Sequence, residues 1–273
     1  KVSIVGAGPA RLPMAYEMKA LARAEAPSTL VANNGRFHFT PSNPWGAVNW
    51  RKRDDIELEI APLLAKKHID FVEQAVTQVN AAQNSLTLAD GSALDYDVLV
   101  IATGPQLAFD EIPGLGPEGF TQSICHVDHA VTAEANWQAF VDNPGPIVVG
   151  AVQGASCFGP AYEFARIMET DLRKRKLRDR VPMTFVTAEP YIGHLGLGGV
   201  GDSKGMIESM FRDRHIKWIC NAKVDKVEDG TMFVTEHDDE GKPKRQHELP
   251  FKYSMMLPAF RGIDAVRGVE GLV

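Results

Sequence analysis

The sequence predicts an α/β fold of two Rossmann-like, three-layer domains, each with a small antiparallel β-meander. Two strand–glycine turn–helix segments indicate it, KVSIVGAGPARLPMAYEMK at residues 1–19 and IVVGAVQGASCFGPAYE at residues 147–163. A third observation is that short alternating strands follow each segment, with Asp-Gly turns at residues 90–91 and 229–230. The strand–turn–helix layout leaves backbone N–H groups free at a helix start, where a dinucleotide phosphate binds.

Composition narrows the class of protein. The chain has 273 residues, of which 44% are hydrophobic and 23% charged, and its formal net charge is −6. These values are ordinary for a globular protein, and without a basic tract they argue against a nucleic-acid partner. Three widely spaced cysteines are too few for a disulfide scaffold and do not suit zinc, so we expect no metal. No apolar run approaches the roughly 18 residues of a membrane span.

The first segment begins as a dinucleotide fingerprint but departs from it. Gly6 allows the tight turn, Gly8 lets the backbone approach a pyrophosphate, and Pro9 suits a first helical turn. Arg11 replaces the third glycine, which normally lets helix and strand pack closely. The next strand, at residues 28–31, is followed by Ala32 and Asn33, with no carboxylate for a ribose hydroxyl. Nucleotide binding is favoured over a bare structural turn.

Further elements of the first half follow in order. Residues 41–50 read as a loop, either a surface loop anchored by Trp45 or a loop folded over a cofactor. Residues 54–67 predict one amphipathic helix, and residues 71–99 a β-meander. Residues 98–101 predict a fully buried strand, whose carboxyl end at residues 103–105 is a typical ligand position.

The second half repeats the plan after a Pro/Gly-rich linker at residues 113–120, which we take as the domain boundary. Helices are predicted at residues 132–141, 161–168 and 205–215, and strands at 147–149, 183–187, 217–222, 223–227, 232–236 and 253–257. The polar run at residues 173–180 is most simply a solvated helix end. His126 and His129, three residues apart, fit one helix face.

Cys157 lies just after the second glycine turn, in which Gly150 and Gly154 are expected to open the bend. A thiol near a helix N-terminus is shifted toward thiolate, because the helix dipole and the free N–H groups favour negative charge. The alternative is that Cys157 is a small buried apolar residue, as a lone cysteine usually is. If Cys157 is reactive, the glycine turn that normally holds a nucleotide phosphate carries a sulfur nucleophile instead.

Seven segments carry a family resemblance: GAGPARLPMAYEMK, FTPSNPWGAVNW, YDVLVIATGP, QSICHVDHA, GASCFGPAYE, EPYIGHLG and GVGDSKG. Together they resemble the bacterial membrane-associated sulfide:quinone oxidoreductases. The resemblance implies an FAD-binding domain at residues 1–115 and an NAD(P)-binding-like domain with redox cysteines at 116–262. Residues 263–273 would begin a return to the first domain. It also implies sulfide oxidation to polysulfide or sulfur, with electrons passed through FAD to a membrane quinone.

The resemblance further implies site residues. Two redox cysteines and three acid/base or channel residues match: Cys157, Cys125, Glu163, His129 and His194. Flavin-contacting positions match at Gly6, Gly8, Pro9, Ala10, Ala32, Asn33, Ser42, Val76, Ala102, Thr103 and Gly104. A peripheral, monotopic association with the bacterial cell membrane through a C-terminal segment would follow, and a homo-oligomer is compatible.

Departures from the family pattern leave two alternatives open. The third cysteine and the membrane-binding tail have no match, so we expect a truncated and by itself inactive chain; Cys220 reads as a structural strand residue. Ala10 and Arg11 stand where the family has glycines. One alternative is an NAD(P)H-dependent flavin reductase of the same fold. The other is a degenerate flavoprotein that acts as a scaffold or sulfur sensor.

Overall fold

The computed structural model describes residues 1–6, 8–9, 11–21 and 27–272, with Arg11 described by its backbone alone. The helices are α1 (Arg11–Leu21), α2 (Asn43–Gly46), α3 (Ala61–Ala65), α4 (Val127–Asp142), α5 (Gly159–Lys174) and α6 (Ser203–Asp213). The strands of the first half are β1 (Val2–Val5), β2 (Ser28–Ala32), β3 (Arg36–His38), β4 (Glu57–Glu59), β5 (Asp70–Glu73), β6 (Val76–Asn80), β7 (Ser85–Leu88), β8 (Ala93–Asp95), β9 (Val98–Ile101) and β10 (Gln106–Leu107). Those of the second half are β11 (Ile147–Ala151), β12 (Met183–Thr187), β13 (Ile216–Ile219), β14 (Ala222–Glu228), β15 (Thr231–His237), β16 (Pro243–Pro250), β17 (Tyr253–Leu257) and β18 (Phe260–Arg261).

The chain divides into two compact units. Unit 1 comprises Lys1–Phe39, Asp54–Gln106 and Arg261–Val273, and unit 2 comprises Thr40–Arg53 and Leu107–Phe260. The predicted α/β class, with two three-layer units and a meander in each, is confirmed.

Unit 1 is built on a parallel sheet of strand order β5-β2-β1-β9. The apolar run VSIV forms β1, which is buried over its whole length because strands pair on both its sides. Ile4, Leu30 and Leu64 belong to the core on the helix side of this sheet. The meander β6-β7-β8 has turns at Asn84 and Gly91, both with positive φ, as predicted.

Two elements of unit 1 differ from the sequence prediction. Residues 54–67 do not form one helix: β4 pairs with β3, and the short helix α3 begins anew with Pro62 in its first turn. The alternation Glu-Leu-Glu in β4 fits a strand, and proline is tolerated at a helix start but not in its interior. β9 is not fully buried, because it lies at the sheet edge and Val98 is 48% exposed.

Unit 2 is built on a second parallel sheet, of order β13-β12-β11-β17. The strands predicted at residues 183–187 and 253–257 have the observed bounds. Side chains of α4 and α5 pack on this sheet in a continuous core with Trp137, Phe164 and Phe185, all completely buried. The antiparallel meander β14-β15-β16 follows. Its last strand, β16, was not predicted, because its PKRQHELP sequence has no apolar alternation.

The Pro/Gly-rich segment at residues 113–120 is not a free linker. Ile112 and Leu115 belong to a core of unit 2 with Val148 and Met256, and the N–H of Val227 donates to the Pro113 carbonyl at 2.8 Å. The division between the units falls earlier, between residues 106 and 107. The segment therefore packs into unit 2 through its apolar side chains, although its prolines and glycines predicted a linker.

Residues 40–53 also belong to unit 2, although they interrupt unit 1 in sequence. Trp45 is exposed and does not anchor the segment. Ala47 and Val48 are buried in the unit 2 core instead, with Trp50 packed against it. This corrects the prediction of a surface loop held by Trp45.

The polar run after α5 is part of a buried charge network rather than only a solvated helix end. The Glu169 carboxylate, 1% exposed, pairs with the guanidinium groups of Arg173, Arg178 and Arg214. The second buried carboxylate of α5, Asp171, accepts hydrogen bonds from the indole Nε1 of Trp50 at 2.9 Å and of Trp137 at 2.8 Å. Arg175 donates to it as well, at 2.7 Å.

Replacing this carboxylate should destabilise unit 2. Asp171→Ala leaves the buried indole N–H of Trp137 without an acceptor, so we expect a loss of about 3 kcal/mol in the free energy of unfolding. Urea unfolding followed by tryptophan fluorescence measures it. The exposed neighbour Asp179 is the control, because Asp179→Ala should change stability by less than about 0.5 kcal/mol. Equal effects of the two substitutions would contradict the role of Asp171.

Candidate active site

The turn between β11 and α5 carries the first candidate residue. Gly150 does not open this turn; it lies inside β11, where an added Cβ would fall 1.7 Å from the Val186 carbonyl oxygen of β12. Gly154 does occupy the turn, with φ +76°, and faces the Ala259 methyl group. The glycines therefore serve two needs, close strand approach at one position and a left-handed backbone at the other.

Cys157 is exposed and lies just before the first turn of α5. Partial burial raises the pKa of its thiol, while a hydrogen bond from the backbone N–H of Gly159 acts in the opposite direction. The predicted shift toward thiolate is therefore wrong, because desolvation outweighs the effect of the helix start. The alternative that Cys157 is a small buried apolar residue is contradicted by its exposure.

Cys125 lies two residues before Val127, the first residue of α4, and is half-buried. Its backbone N–H donates to the Ser123 hydroxyl oxygen at 3.2 Å. Burial raises the pKa of its thiol to about 11; a hydrogen bond with Ser123 lowers it, and the charge of Cys157 raises it further.

Ser123 also joins Cys125 to the predicted His129. The Nδ1 atom of His129 lies 3.0 Å from the Ser123 hydroxyl oxygen. Burial lowers the pKa of His129, with Asp128 and Glu118 opposing the shift, so the neutral ring is favoured near pH 7. The rings of His126 and His129 are in edge contact, with centroids 5.1 Å apart.

The other two predicted catalytic residues lie on separate elements of unit 2. Glu163 is exposed on α5. His194 lies in the glycine-rich segment after β12, where its ring contacts Tyr191 at 5.1 Å between centroids and its Nδ1 is buried without a hydrogen-bond partner among the described residues. Within the described part of the chain, no hydrogen bond or ring contact joins Glu163 or His194 to either cysteine.

Sequence reasoning missed two residues beside Cys125. Ser123, 1% exposed, touches both Cys125 and His129. Asn43 is completely buried and donates its side-chain N–H to the Ile124 carbonyl at 3.0 Å, which fixes the residue before Cys125. The position of Ser123, two residues before Cys125, could have indicated its role from the sequence. The contact of Asn43 with Ile124 spans 81 residues, and no sequence pattern indicated it.

Cys220 is not a strand residue, because β13 ends at Ile219. It is half-buried, and burial with the nearby charges of Glu189, Glu208 and Glu236 raises the pKa of its thiol to about 12. This environment holds the thiol neutral, in agreement with a structural role.

The carboxyl edge of the parallel sheet in unit 1 gathers most predicted cofactor positions. Gly6 is buried at φ +113° and donates its N–H to the Val31 carbonyl at 2.5 Å, a geometry that requires glycine. The remaining described positions in unit 1 lie at strand ends or beside the first turn: Gly8, Pro9, Ala32, Asn33, Val76, Ala102, Thr103 and Gly104. Ala10 lies outside the described residues, as does the side chain of Arg11. Ser42 belongs to unit 2.

Glu73 supplies a carboxylate that the sequence did not predict at this edge. It is the last residue of β5 and stands opposite Ala32 in the register with β2. Its Oε2 lies 3.1 Å from the position of an added Cβ on Gly35. An acidic side chain therefore lies beside the end of β2 on the neighbouring strand, a position that only the strand pairing reveals.

Comparison with known proteins identifies the family. The model of the pyridine nucleotide-disulphide oxidoreductase family matches residues 1–260. This chain belongs to that family. Its members and the relatives below are FAD-dependent flavoproteins, and the glycine turn and strand ends of unit 1 have the form that a dinucleotide requires.

Among curated relatives, the sulfide-quinone reductase of Aquifex aeolicus is 41% identical over 265 residues, which is 97% of this chain and 60% of the relative. A mitochondrial sulfide:quinone oxidoreductase of Mus musculus is 24% identical, over 98% of this chain and 58% of the relative. The chain thus spans about 60% of the length of the curated relatives it matches.

Two solved structures have a similar fold. The sulfide:quinone oxidoreductase of Aquifex aeolicus superposes with a TM-score of 0.91 at 40% identity, covering 97% of this chain and 60% of that one. NDH2 of Plasmodium falciparum, in complex with NADH, has a TM-score of 0.73 at 14% identity over 97% of this chain and 56% of that one, and shows the shared fold. No helix of the described residues is long and apolar enough to cross a membrane.

The environments of the thiols predict their relative reactivity. At a given pH, Cys125 should hold about 100-fold less thiolate than an ordinary cysteine, since its pKa is raised from 9.0 to about 11. Exposed Cys157 should therefore react with iodoacetamide first, and labelling of Cys125 should rise with pH up to about 11. Peptide mass mapping between pH 7 and pH 10 measures both rates.

Ser123→Ala tests the cause of that difference. Losing the hydroxyl removes the hydrogen bond that lowers the pKa of Cys125, so its labelling should slow further while that of Cys157 stays unchanged. Faster labelling of Cys125 than of Cys157 in the unaltered protein would contradict the assigned environments.

Proposed function

We propose that the protein oxidises sulfide to polysulfide or elemental sulfur and passes the electrons through FAD to a quinone. The observation that carries this proposal is the exposed thiol of Cys157 at the β11–α5 turn. In this fold that turn normally receives a pyrophosphate. The 41% identity to a sulfide-quinone reductase supports the same reading.

FAD, when bound, supplies a two-electron acceptor. The residues proposed to hold it are those of the unit 1 sheet edge, where Gly6 would allow the tight turn, Gly8 the close backbone approach, and Glu73 would accept hydrogen bonds from ribose hydroxyls. Ala10 and Ser42 remain further candidates on the strength of the motif match.

The proposed chemistry of this chain's own residues begins with an oxidised pair of Cys157 and Cys125, joined directly or through sulfur atoms. Sulfide attacks one sulfur of this bridge, a sulfur–sulfur bond forms and another breaks, and one cysteine leaves as a thiolate. Reforming the bridge releases two electrons for each sulfide sulfur added. The thiolate is the reactive form, because a neutral thiol is a poor nucleophile.

Proton transfer is assigned to groups around these thiols. His129 is proposed to accept the proton of Cys125 through the Ser123 hydroxyl, whose oxygen lies 3.0 Å from His129 Nδ1 and accepts a hydrogen bond from the backbone N–H of Cys125. Glu163 and His194 are proposed to take protons from hydrogen sulfide as it enters, Glu163 because it is exposed on the helix that begins beside Cys157. We also propose peripheral association with a bacterial membrane, where the quinone resides.

Cys157→Ala is the direct test. Rapid mixing of the FAD-loaded protein with sulfide should bleach the flavin, and the substitution should slow bleaching by about 1000-fold or more, because the bridge that sulfide attacks can no longer form. Cys220→Ala is the matched control and should retain the normal rate, since that thiol is held neutral. Unchanged bleaching in Cys157→Ala would remove this residue from the mechanism. Bleaching by NADH alone would favour a flavin reductase, and colourless purified protein a non-catalytic scaffold.

Glu73 is expected to contribute to FAD binding. Glu73→Gln should weaken FAD affinity about tenfold, because a charged hydrogen-bond acceptor is lost at the sheet edge. Titration of flavin fluorescence measures the dissociation constant. Glu59→Gln, on exposed β4, is the control that should leave it unchanged. Equal affinities of Glu73→Gln and the unaltered protein would exclude this contact.

A further inference from the structure

A buried carboxylate follows the second strand of the unit 2 sheet. Glu189 lies just beyond β12 and is 2% exposed. In dinucleotide-binding folds, an acidic residue in this neighbourhood accepts hydrogen bonds from the ribose hydroxyls of NAD. Glu189 therefore has the chemistry of a ribose acceptor, but not the accessibility.

Both oxygens of this carboxylate are used within the chain. Oε2 accepts hydrogen bonds from the Tyr162 hydroxyl at 2.6 Å and the Thr187 hydroxyl at 2.7 Å. Oε1 accepts one from the backbone N–H of Leu195 at 2.5 Å. Tyr162 in turn accepts a hydrogen bond from the N–H of Gly193 at 3.0 Å. Burial and the bond to Glu189 raise the pKa of Tyr162, which keeps it a donor.

These bonds hold the glycine loop, defined here as residues 193–201. The Ser203 hydroxyl donates to the Gly193 carbonyl at 2.7 Å and accepts from the Val200 N–H at 3.0 Å. Gly196 lies against the ring of Phe158, where an added Cβ would be 3.3 Å from two ring carbons. Phe158 is the residue that precedes α5. The glycine loop thus contacts the residue before α5, while Cys157 and Gly159 on either side of that residue stay exposed.

We propose that Glu189 is a specificity-determining residue that deprives unit 2 of the ribose acceptor of a nicotinamide dinucleotide site. Its carboxylate takes hydrogen bonds from the chain in place of ribose hydroxyls, and it holds the glycine loop against Phe158, the residue before α5. The same bonds position His194, which lies between the two anchored residues Gly193 and Leu195. This inference goes beyond the proposed function, because it concerns nicotinamide dinucleotides, which take no part in the proposed sulfide oxidation.

Loss of the anchor should loosen the glycine loop. Glu189→Gln keeps the shape of the side chain but cannot accept all three hydrogen bonds, so amide hydrogen exchange at residues 193–201 should accelerate at least about tenfold. Glu208→Gln is the matched control, because it removes the same charge from α6, where Glu208 pairs with Arg212. Equal exchange of the loop in the two variants would overturn the proposal.

Direct binding of NADH tests the specificity. Equilibrium dialysis should show no binding to the unaltered protein. The double variant Tyr162→Phe/Thr187→Val frees Oε2 while keeping the carboxylate, and should bind NADH measurably under the same conditions. Adding Glu189→Gln should abolish that gain.

Two results would overturn the specificity assignment: NADH binding by the unaltered protein, or a double variant whose loop has loosened but which still refuses NADH. Neither measurement uses sulfide or quinone, so their failure is distinguishable from a failure of the proposed sulfide oxidation.

Discussion

The parallel register of β11 with its neighbours fixes where the chemistry of unit 2 lies. Ala151, the last residue of β11, stands opposite Thr187 of β12 and Leu257 of β17. The turn that carries Cys157 and the segment that carries Glu189 therefore leave the sheet at the same edge. Gly150 permits this register, because any side chain there would collide with the Val186 carbonyl. The close approach of Gly150 to Val186 thus brings the segments that carry Cys157 and Glu189 to the same edge of the sheet.

Desolvation, rather than the helix start, governs the thiols. A cysteine before a helix has a favourable field for negative charge, yet burial raises the pKa of Cys157, and of Cys125 still more. The unreacted cysteines are consequently held as thiols. Reactivity in such a site requires a thiolate released by bond cleavage, or a base that removes the proton, and the second route is the one proposed for His129, which contacts Ser123.

The sequence predicted the regular parts of the fold because their signals are local. The strands β1, β12 and β17, the Asp-Gly turns and the second glycine turn follow from apolar runs and from glycine positions. It could not predict features set by distant partners. Asn43 reaches Ile124 across 81 residues, Trp50 reaches Asp171 across 121, and Glu73 gains its position only through pairing with β2. The candidate cysteines and His129 were therefore named from the sequence, whereas Ser123, Asn43 and Glu73 were not.

The excursion of residues 40–53 has a consequence for dissecting this protein. A fragment cut at residue 106 would carry those residues away from the core to which Ala47 and Val48 belong. The remaining piece would expose the apolar surface they cover and leave Asp171 without the indole of Trp50. Neither compact unit is encoded by one continuous stretch of the gene. Each unit can therefore complete its fold only after its separate segments have been synthesised.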